Sequence, residues 1–287
     1  MEKLQKAVSS VKSVYSSEDV QKYFLPLLKQ IISLQRKNKT VIIGVQGGQG
    51  TGKTTLARFM EKVLVNLNYK VHSFSIDDFY KTNRERKLLR EKYPGNHFYH
   101  IYRGLPGTHR VKLLKQTLGE IKAGKPFEIP IFDKSLHNAQ GDVIKRTIKV
   151  KKRQDFIFFE GWCLGLPKVS SKVLIDLCKK NHINLRKLDP TMKDHKIVLN
   201  YTKDYQSLWK FIDYFIMLRP ESSDLHQKWR YQQARELKKK TEKGMTKKEI
   251  DWFVAPYLPF TYLCYDKVKP DIKLLINKKH RIYKVVK

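Results

Sequence analysis

Apolar residues along this chain fall into two patterns: short unbroken runs, and longer stretches in which they recur every three or four positions. The first pattern marks strands buried on both faces, the second amphipathic helices. Residues 19–36 have near-helical spacing and predict a helix with a kink at Pro26, inside an N-terminal helical extension over 1–38. A buried strand is expected at Val41–Val45, a helix from about Gly52 to Asn68, and a second strand at Val71–Ile76. Strand, helix, strand is the unit from which parallel sheets are built.

Further along, Val111–Ala123 has helical periodicity, and PFEIPIF is a short extended piece bounded by prolines. DFIFFEGW, from Asp155, and FIDYFIMLRP, ending at Leu218, read as fully buried strands. A long helix is expected from about Ser222 to Glu242, within a lid region near 222–245, and a shorter one over Thr246–Phe253 opens on the capping pattern TKKE. The mixed polar stretch 168–205 lies between two core strands and reads as an insertion. No internal repeat and no Pro/Gly/Ser-rich linker divides the chain. The expectation is one α/β domain over 1–287: a mostly parallel sheet flanked by helices on both faces, with a helical lid.

Composition narrows the class. With 287 residues, 41% of them hydrophobic, the chain can bury a substantial core, which excludes disordered and collagen-like classes. No segment approaches the ~18 apolar residues of a membrane span, and MEKLQKAVSS lacks the apolar core of a signal peptide. Cys163, Cys178 and Cys264 show no metal-ligand spacing and are odd in number, so a reducing, cytoplasmic setting is expected. The net charge of +32 would suit a nucleic-acid partner. The basic residues are nevertheless spread along the whole chain, which favours ordinary solvated faces. Their densest cluster, KRTIKVKKR from Lys145 to Arg153, alternates with the period of a strand or hairpin and keeps a polyanion patch open as an alternative.

The chemistry starts at GVQGGQGTGKTTL. Gly47, Gly52, Lys53 and Thr54 satisfy G-x-x-x-x-G-K-[ST], with TVIIGV before it as a buried strand and TTLARFMEKVL after it as a helix. Both flanks matter, because loop and helix N–H groups must converge on phosphate oxygens. The nucleotide-binding residues are therefore expected to be Gly47, Gly48, Gln49, Gly50, Thr51, Gly52, Lys53, Thr54 and Thr55. The glycines let the backbone curl around phosphates, Lys53 reaches the β and γ phosphates, and the Thr54 hydroxyl ligates magnesium. A GTPase would need a guanine-reading N-K-x-D; NKKH at Asn277 lacks the aspartate.

Asp77 and Asp78 in SIDDFY end the second strand, on the sheet edge that carries the phosphate loop. A carboxylate there can take the proton of a hydroxyl attacking the γ phosphate, or it can cap a helix; capping is the stronger reading for Asp78. Glu160 ends another buried strand in the same fashion, so a magnesium ligand, direct or through water, competes with a structural ion pair.

The order of phosphate loop, DDFY and FFEGW resembles the family of uridine kinase, phosphoribulokinase and pantothenate kinase, and within it the D-glycerate 3-kinase-like proteins. The likeness rests on SIDDFY, RGLPGTH from Arg103, IPIFDKS from Ile129, FEGWCLG from Phe159 and WRYQQ from Trp229, and spans about Val41 to Tyr265. It implies a P-loop NTPase fold, ATP and Mg2+ as cofactors, and Asp77 as catalytic base with Lys53, Glu160 and Arg230. Tyr80, Arg103, His109, Asp133 and Lys134 are the expected substrate-binding residues, the arginine fork being suited to a carboxylate. Arg230, with Arg235 further along, belongs to a helix that in this group forms a mobile lid. The chain departs from the pattern at Arg110, where relatives carry Asp, and at Val143, where they carry Arg.

The resulting expectation is an ATP-dependent kinase acting on a hydroxyl of a small anionic acceptor such as D-glycerate, working as a monomer or homodimer. A nucleoside, a pantothenate-like compound or a sugar phosphate are alternative acceptors. A nucleic-acid-associated ATPase and a catalytically silent nucleotide-binding regulator are alternatives of another class.

Overall fold

In chain order the strands are β1 (Val41–Gly47), β2 (Val71–Ser75), β3 (Phe127–Asp133), β4 (Asp142–Val150), β5 (Phe156–Gly161), β6 (Tyr214–Pro220), β7 (Ile272–Ile276) and β8 (Ile282–Val286). They come from a computed structural model described for residues 2–12, 14–222, 224–241 and 246–287, with side chains at 237–241 left aside. β1 is buried at every position because it lies inside the sheet, paired in parallel with β5 on one side and β6 on the other. β2 joins the far side of β5, and β7 the far side of β6, both in parallel; β8 then turns back antiparallel. The six-stranded order is β2-β5-β1-β6-β7-β8, and β3 with β4 forms a separate antiparallel hairpin.

Successive side chains of a strand point to opposite faces, and the two cores follow that rule. Ile42, Ile157, Phe159 and Met217 face one cluster, where Leu114, Leu118, Leu174, Val198 and Leu263 from the covering helices meet them. Val41, Ile43, Val45, Phe156, Phe158 and Ile216 face the other, against Leu56, Met60, Val63 and Leu64 of the helix Lys53–Asn66. Helices therefore cover both faces of a mostly parallel sheet, the α/β arrangement expected of a P-loop NTPase.

Most elements fall close to their expected positions, and the differences have physical reasons. The helix expected over 19–36 is segmented into Ser17–Asp19, a π-helical turn at Val20–Phe24, and Leu25–Ser33 with Pro26 in its first turn. Proline has no N–H to give the preceding turn, and a wider turn accommodates its ring. The strand expected to Ile76 ends at Ser75, and Ile76–Phe79 winds into a 3-10 turn. The lid helix runs Leu225–Thr241; its expected continuation to 242–245 lies outside the described residues. The KRTIKVKKR segment lies largely on β4, where Ile148 is 42% exposed, as the outer strand of a hairpin. The β7–β8 hairpin had no expectation attached to it. No helix among the described residues is long and apolar enough to cross a membrane.

The N-terminal helices join the second core rather than standing off it: Leu4, Phe24, Leu28 and Ile31 are buried with the residues of the Lys53–Asn66 helix. Leu28 is fully buried. Leu28→Ala should therefore cost about 3 kcal/mol of unfolding free energy, a transfer term plus a cavity term, measurable by urea denaturation. A loss below ~0.5 kcal/mol would mean that the segment is not part of the cooperative unit.

Candidate active site

Parallel pairing fixes which strand ends lie together. Glu160 of β5 is in register with Val45 of β1 and Ser75 of β2, so its carboxylate sits between the segments that leave those two strands. After β1 comes the glycine loop leading into the helix Lys53–Asn66; after β2 comes the 3-10 turn bearing Asp77 and Asp78.

The loop is shaped for phosphates. Gly50 and Gly52 have φ of +78° and +86°, a region costly for any residue with a Cβ. A Cβ on Gly47 would lie 2.5 Å from Thr51 Oγ1. The Gly48 carbonyl accepts from Thr51 Oγ1 at 2.8 Å and from Lys53 Nζ at 3.1 Å, which closes the loop on itself. Burial lowers the Lys53 pKa, while Glu160 and Asp77 act against that shift. Thr54 Oγ1 donates to Glu160 Oε1 at 2.8 Å, and Glu160 is 7% exposed. This glycine cradle at a helix N-terminus fits a nucleotide's phosphates. The hydroxyl and carboxylate beside it are hard oxygen donors that fit magnesium.

The paired aspartates separate into two roles. The Asp78 carboxylate turns back to accept the Ser75 N–H at 2.8 Å in a reciprocal capping box, and burial pushes its pKa up to about 6. Asp77 instead faces the cavity, where Tyr80 Oη donates to Oδ1 and Lys134 Nζ to Oδ2, each at 2.8 Å. Burial alone would raise the Asp77 pKa, but the Lys134 charge and the hydrogen bonds from Lys134 and Tyr80 prevail and hold it at about 2. Asp77 is ionised at neutral pH.

A cavity of about 350 Å³ gathers most of the expected residues on one wall or another: Lys53, Thr54, Asp77, Tyr80, Arg103, His109, Lys134, Glu160 and Arg230. His109 is 2% exposed and stacks on Tyr80 with ring centroids 4.5 Å apart. Its Nδ1 pairs with Tyr205 Oη at 2.8 Å, and its Nε2 has no hydrogen-bond partner among the described residues. Burial lowers its pKa to about 4, so it is a neutral imidazole that steadies the tyrosine holding Asp77. Arg103 is fixed from both ends. Its Nη1 donates to the Ala139 carbonyl at 2.6 Å, and its own carbonyl accepts from Tyr257 Oη at 2.6 Å. Arg230 reaches the cavity from the lid helix with its guanidinium 5.3 Å from the Phe253 ring centroid.

Some expected residues lie elsewhere. Asp133 does not line this cavity; its Oδ1 accepts from the N–H and hydroxyl of Ser135 and shapes the turn after β3. Arg110 lines a neighbouring cavity with Tyr205 and Asp204, and Arg235 is exposed on the lid helix. Sequence reasoning assigned no role to Trp162, Phe253 or Tyr257, which supply the cavity's aromatic wall. Trp162 Nε1 is held by Thr261 Oγ1 at 2.7 Å, and its ring meets Tyr257 edge-on. Only the quoted FEGWCLG, which contains Trp162, carried any signal for this wall.

Fold and site together define a P-loop kinase. Residues 42–177 match the phosphoribulokinase/uridine kinase family. The chain is 31% identical over 249 residues to the uncharacterized kinase mug58 of Schizosaccharomyces pombe, covering 85% of each protein. It is 29% identical over 226 residues to the chloroplastic D-glycerate 3-kinase of Arabidopsis thaliana, over 76% of this chain and 46% of the plant protein, so it spans just under half the plant protein's length. Among solved structures, D-glycerate 3-kinase from Cryptococcus neoformans var. grubii is similar with a TM-score of 0.80 and 26% identity, covering 95% of this chain and 99% of that one. The chain belongs to the phosphoribulokinase/uridine kinase family, and it is a phosphotransferase with D-glycerate 3-kinases among its relatives.

The Asp77–Lys134 pair has a measurable sign. A carboxyl held at about 2, below its ordinary 3.8, contributes stability that is present above the ordinary value and lost as the pH falls through about 2. Lys134→Met removes the cation and leaves the burial, so the Asp77 carboxyl should titrate at higher pH and that contribution should disappear sooner on acidification. Carbon-detected NMR of labelled aspartate reads this directly; an Asp77 titration at the same pH in both proteins would rule out the pairing.

Proposed function

We propose that the chain transfers the γ-phosphoryl group of ATP to a hydroxyl of a small anionic acceptor of the D-glycerate type, with magnesium held at Thr54 and Glu160. The observation that carries this reading is the charge arrangement of the cavity. Asp77 and, on the Thr54 side, Glu160 are the two carboxylates of a cavity that also gathers Lys53, Arg103, Lys134 and Arg230. Lys53 closes on the glycine loop that would hold the nucleotide's phosphates, whereas Lys134 and Arg103 lie on the side of Asp77 and Tyr80, where an acceptor bearing its own carboxylate would use them. A neutral nucleoside would offer Arg103 no carboxylate to pair with.

When bound, ATP with magnesium supplies the phosphoryl group and offsets its negative charge. The chain's own residues do the rest. Lys53 and the loop N–H groups orient the phosphates. Arg103, held rigid by Ala139 and Tyr257, is placed to pair with the acceptor's carboxylate. Asp77 takes the proton of the reacting hydroxyl on a carboxylate oxygen, and Tyr80, steadied by His109, fixes that oxygen's direction. Lys134 is 58% exposed at its side chain and can leave Asp77 for the incoming anion, which would restore basicity to the carboxylate at the moment it is needed. Arg230 completes the wall from the lid helix and excludes water that would otherwise be the acceptor.

ADP release in the presence of D-glycerate, compared with uridine, pantothenate and a sugar phosphate, tests the acceptor. D-Glycerate should support the highest turnover, and Asp77→Asn should lower it by about 10²–10⁴-fold. Turnover on uridine alone would overturn the acceptor class, and full activity in Asp77→Asn would remove Asp77 as the base.

A further inference from the structure

The lid helix touches the phosphate loop at a point away from Arg230. His226, one turn before it, is 2% exposed and lies directly over Gly48; a Cβ on Gly48 would come within 2.1 Å of His226 Cε1. His226 Nδ1 is 2.9 Å from the Gln49 carbonyl, and a carbonyl can only accept, so Nδ1 carries the proton. That tautomer leaves Nε2 as an acceptor, and it faces Tyr265 Oη at 3.4 Å. The same hydroxyl accepts the Gly48 N–H at 2.8 Å, which leaves its own proton free for His226. Burial lowers the His226 pKa to about 4, in keeping with a neutral ring. Trp229, 2% exposed, packs its Cβ where a Cβ on Gly50 would lie 2.8 Å away.

We infer that His226 and Tyr265 are positioning residues that strap the phosphate loop into its phosphate-ready shape and make the lid helix part of the nucleotide site. Neither side chain lines the catalytic cavity, so their effect passes through the loop's peptides. The Gly48 N–H and the Gln49 carbonyl are a donor and an acceptor that the loop does not satisfy from within; His226 and Tyr265 satisfy both and join them in one hydrogen-bonded chain. Because Arg230 rides on the same helix, a loop bent to receive phosphates and an arginine aimed at them become a single mechanical state. This rests on the kinase reading of the loop and does not depend on which acceptor is used.

The test is ADP binding by calorimetry, with KM for ATP and kcat measured beside it. His226→Leu, which leaves the Gln49 carbonyl buried without a donor, should weaken ADP binding roughly tenfold or more. Tyr265→Phe, nearly isosteric, should weaken it in the same direction. The double variant should be little weaker than the worse single, because the two act through one network. His226→Asn, whose side-chain amide can still donate to the Gln49 carbonyl, should recover most of the affinity. KM for ATP should rise in His226→Leu far more than kcat falls at saturating ATP, a split that general destabilisation would not produce. ADP bound equally well by wild type, His226→Leu and Tyr265→Phe would overturn the strap. So would an equal loss in His226→Leu and His226→Asn. Failure of the wild-type protein to bind ADP would instead overturn the kinase reading itself, so the two failures are distinguishable.

Discussion

The parallel pairing of β5 between β1 and β2 is the constraint on which everything else in the site depends. Strand pairing in one direction brings the carboxyl ends of β1, β5 and β2 to one edge, and the register places Glu160 level with Val45 and Ser75. The glycine loop, the Thr54–Glu160 contact and the Asp77 turn are consequences of where those strands stop. Buried apolar side chains on both faces of β1 and β5 hold that register against slippage, because a shift by one residue would send each strand's side chains into the wrong core. The precision of a polar site is here a by-product of apolar packing.

The cavity's electrostatics follow from sharing out a few charges. Glu160 meets the Thr54 hydroxyl beside the glycine loop and Asp78 the Ser75 N–H, so Asp77 is the carboxylate of this cluster that faces Lys134 and Tyr80. Its partners are graded by exposure. Tyr80 is 4% exposed and stacks on His109, whereas the Lys134 side chain reaches in from the exposed turn after β3. A buried neutral donor sets direction, and an exposed cation sets the resting charge.

Much of this was legible in the sequence because the signals were local. The glycine loop and Glu160 each come at the end of a strand that its own apolar run announces, and Asp77 follows the strand that completes the strand–helix–strand unit. Asp133 and Lys134 show where locality fails: adjacent residues at a strand end point different ways, so Lys134 reaches Asp77 while Asp133 closes its own turn, and no spacing rule chose between them. Tyr265 was beyond reach for another reason. The helix Leu258–Lys267 is buried on every side from Pro259 to Tyr265, so its pattern has no apolar stripe to say which face meets the loop. β7 and the edge strand β8 have five residues each, too short for alternation to distinguish them from loop.

Gly48 carries a consequence for how this chain can vary. The space its missing Cβ leaves is filled by the imidazole of His226, whose Cε1 would stand only 2.1 Å from that added atom. Position 48 cannot accept a side chain while that imidazole stays in place. A methyl group at 48 demands a smaller neighbour at 226, and only a neighbour that keeps an N–H donor there retains the bond to the Gln49 carbonyl. The two sites therefore form one heritable unit in which a first substitution is punished until the second arrives. Drift at the start of the phosphate loop is closed off by a helix encoded far downstream in the same gene.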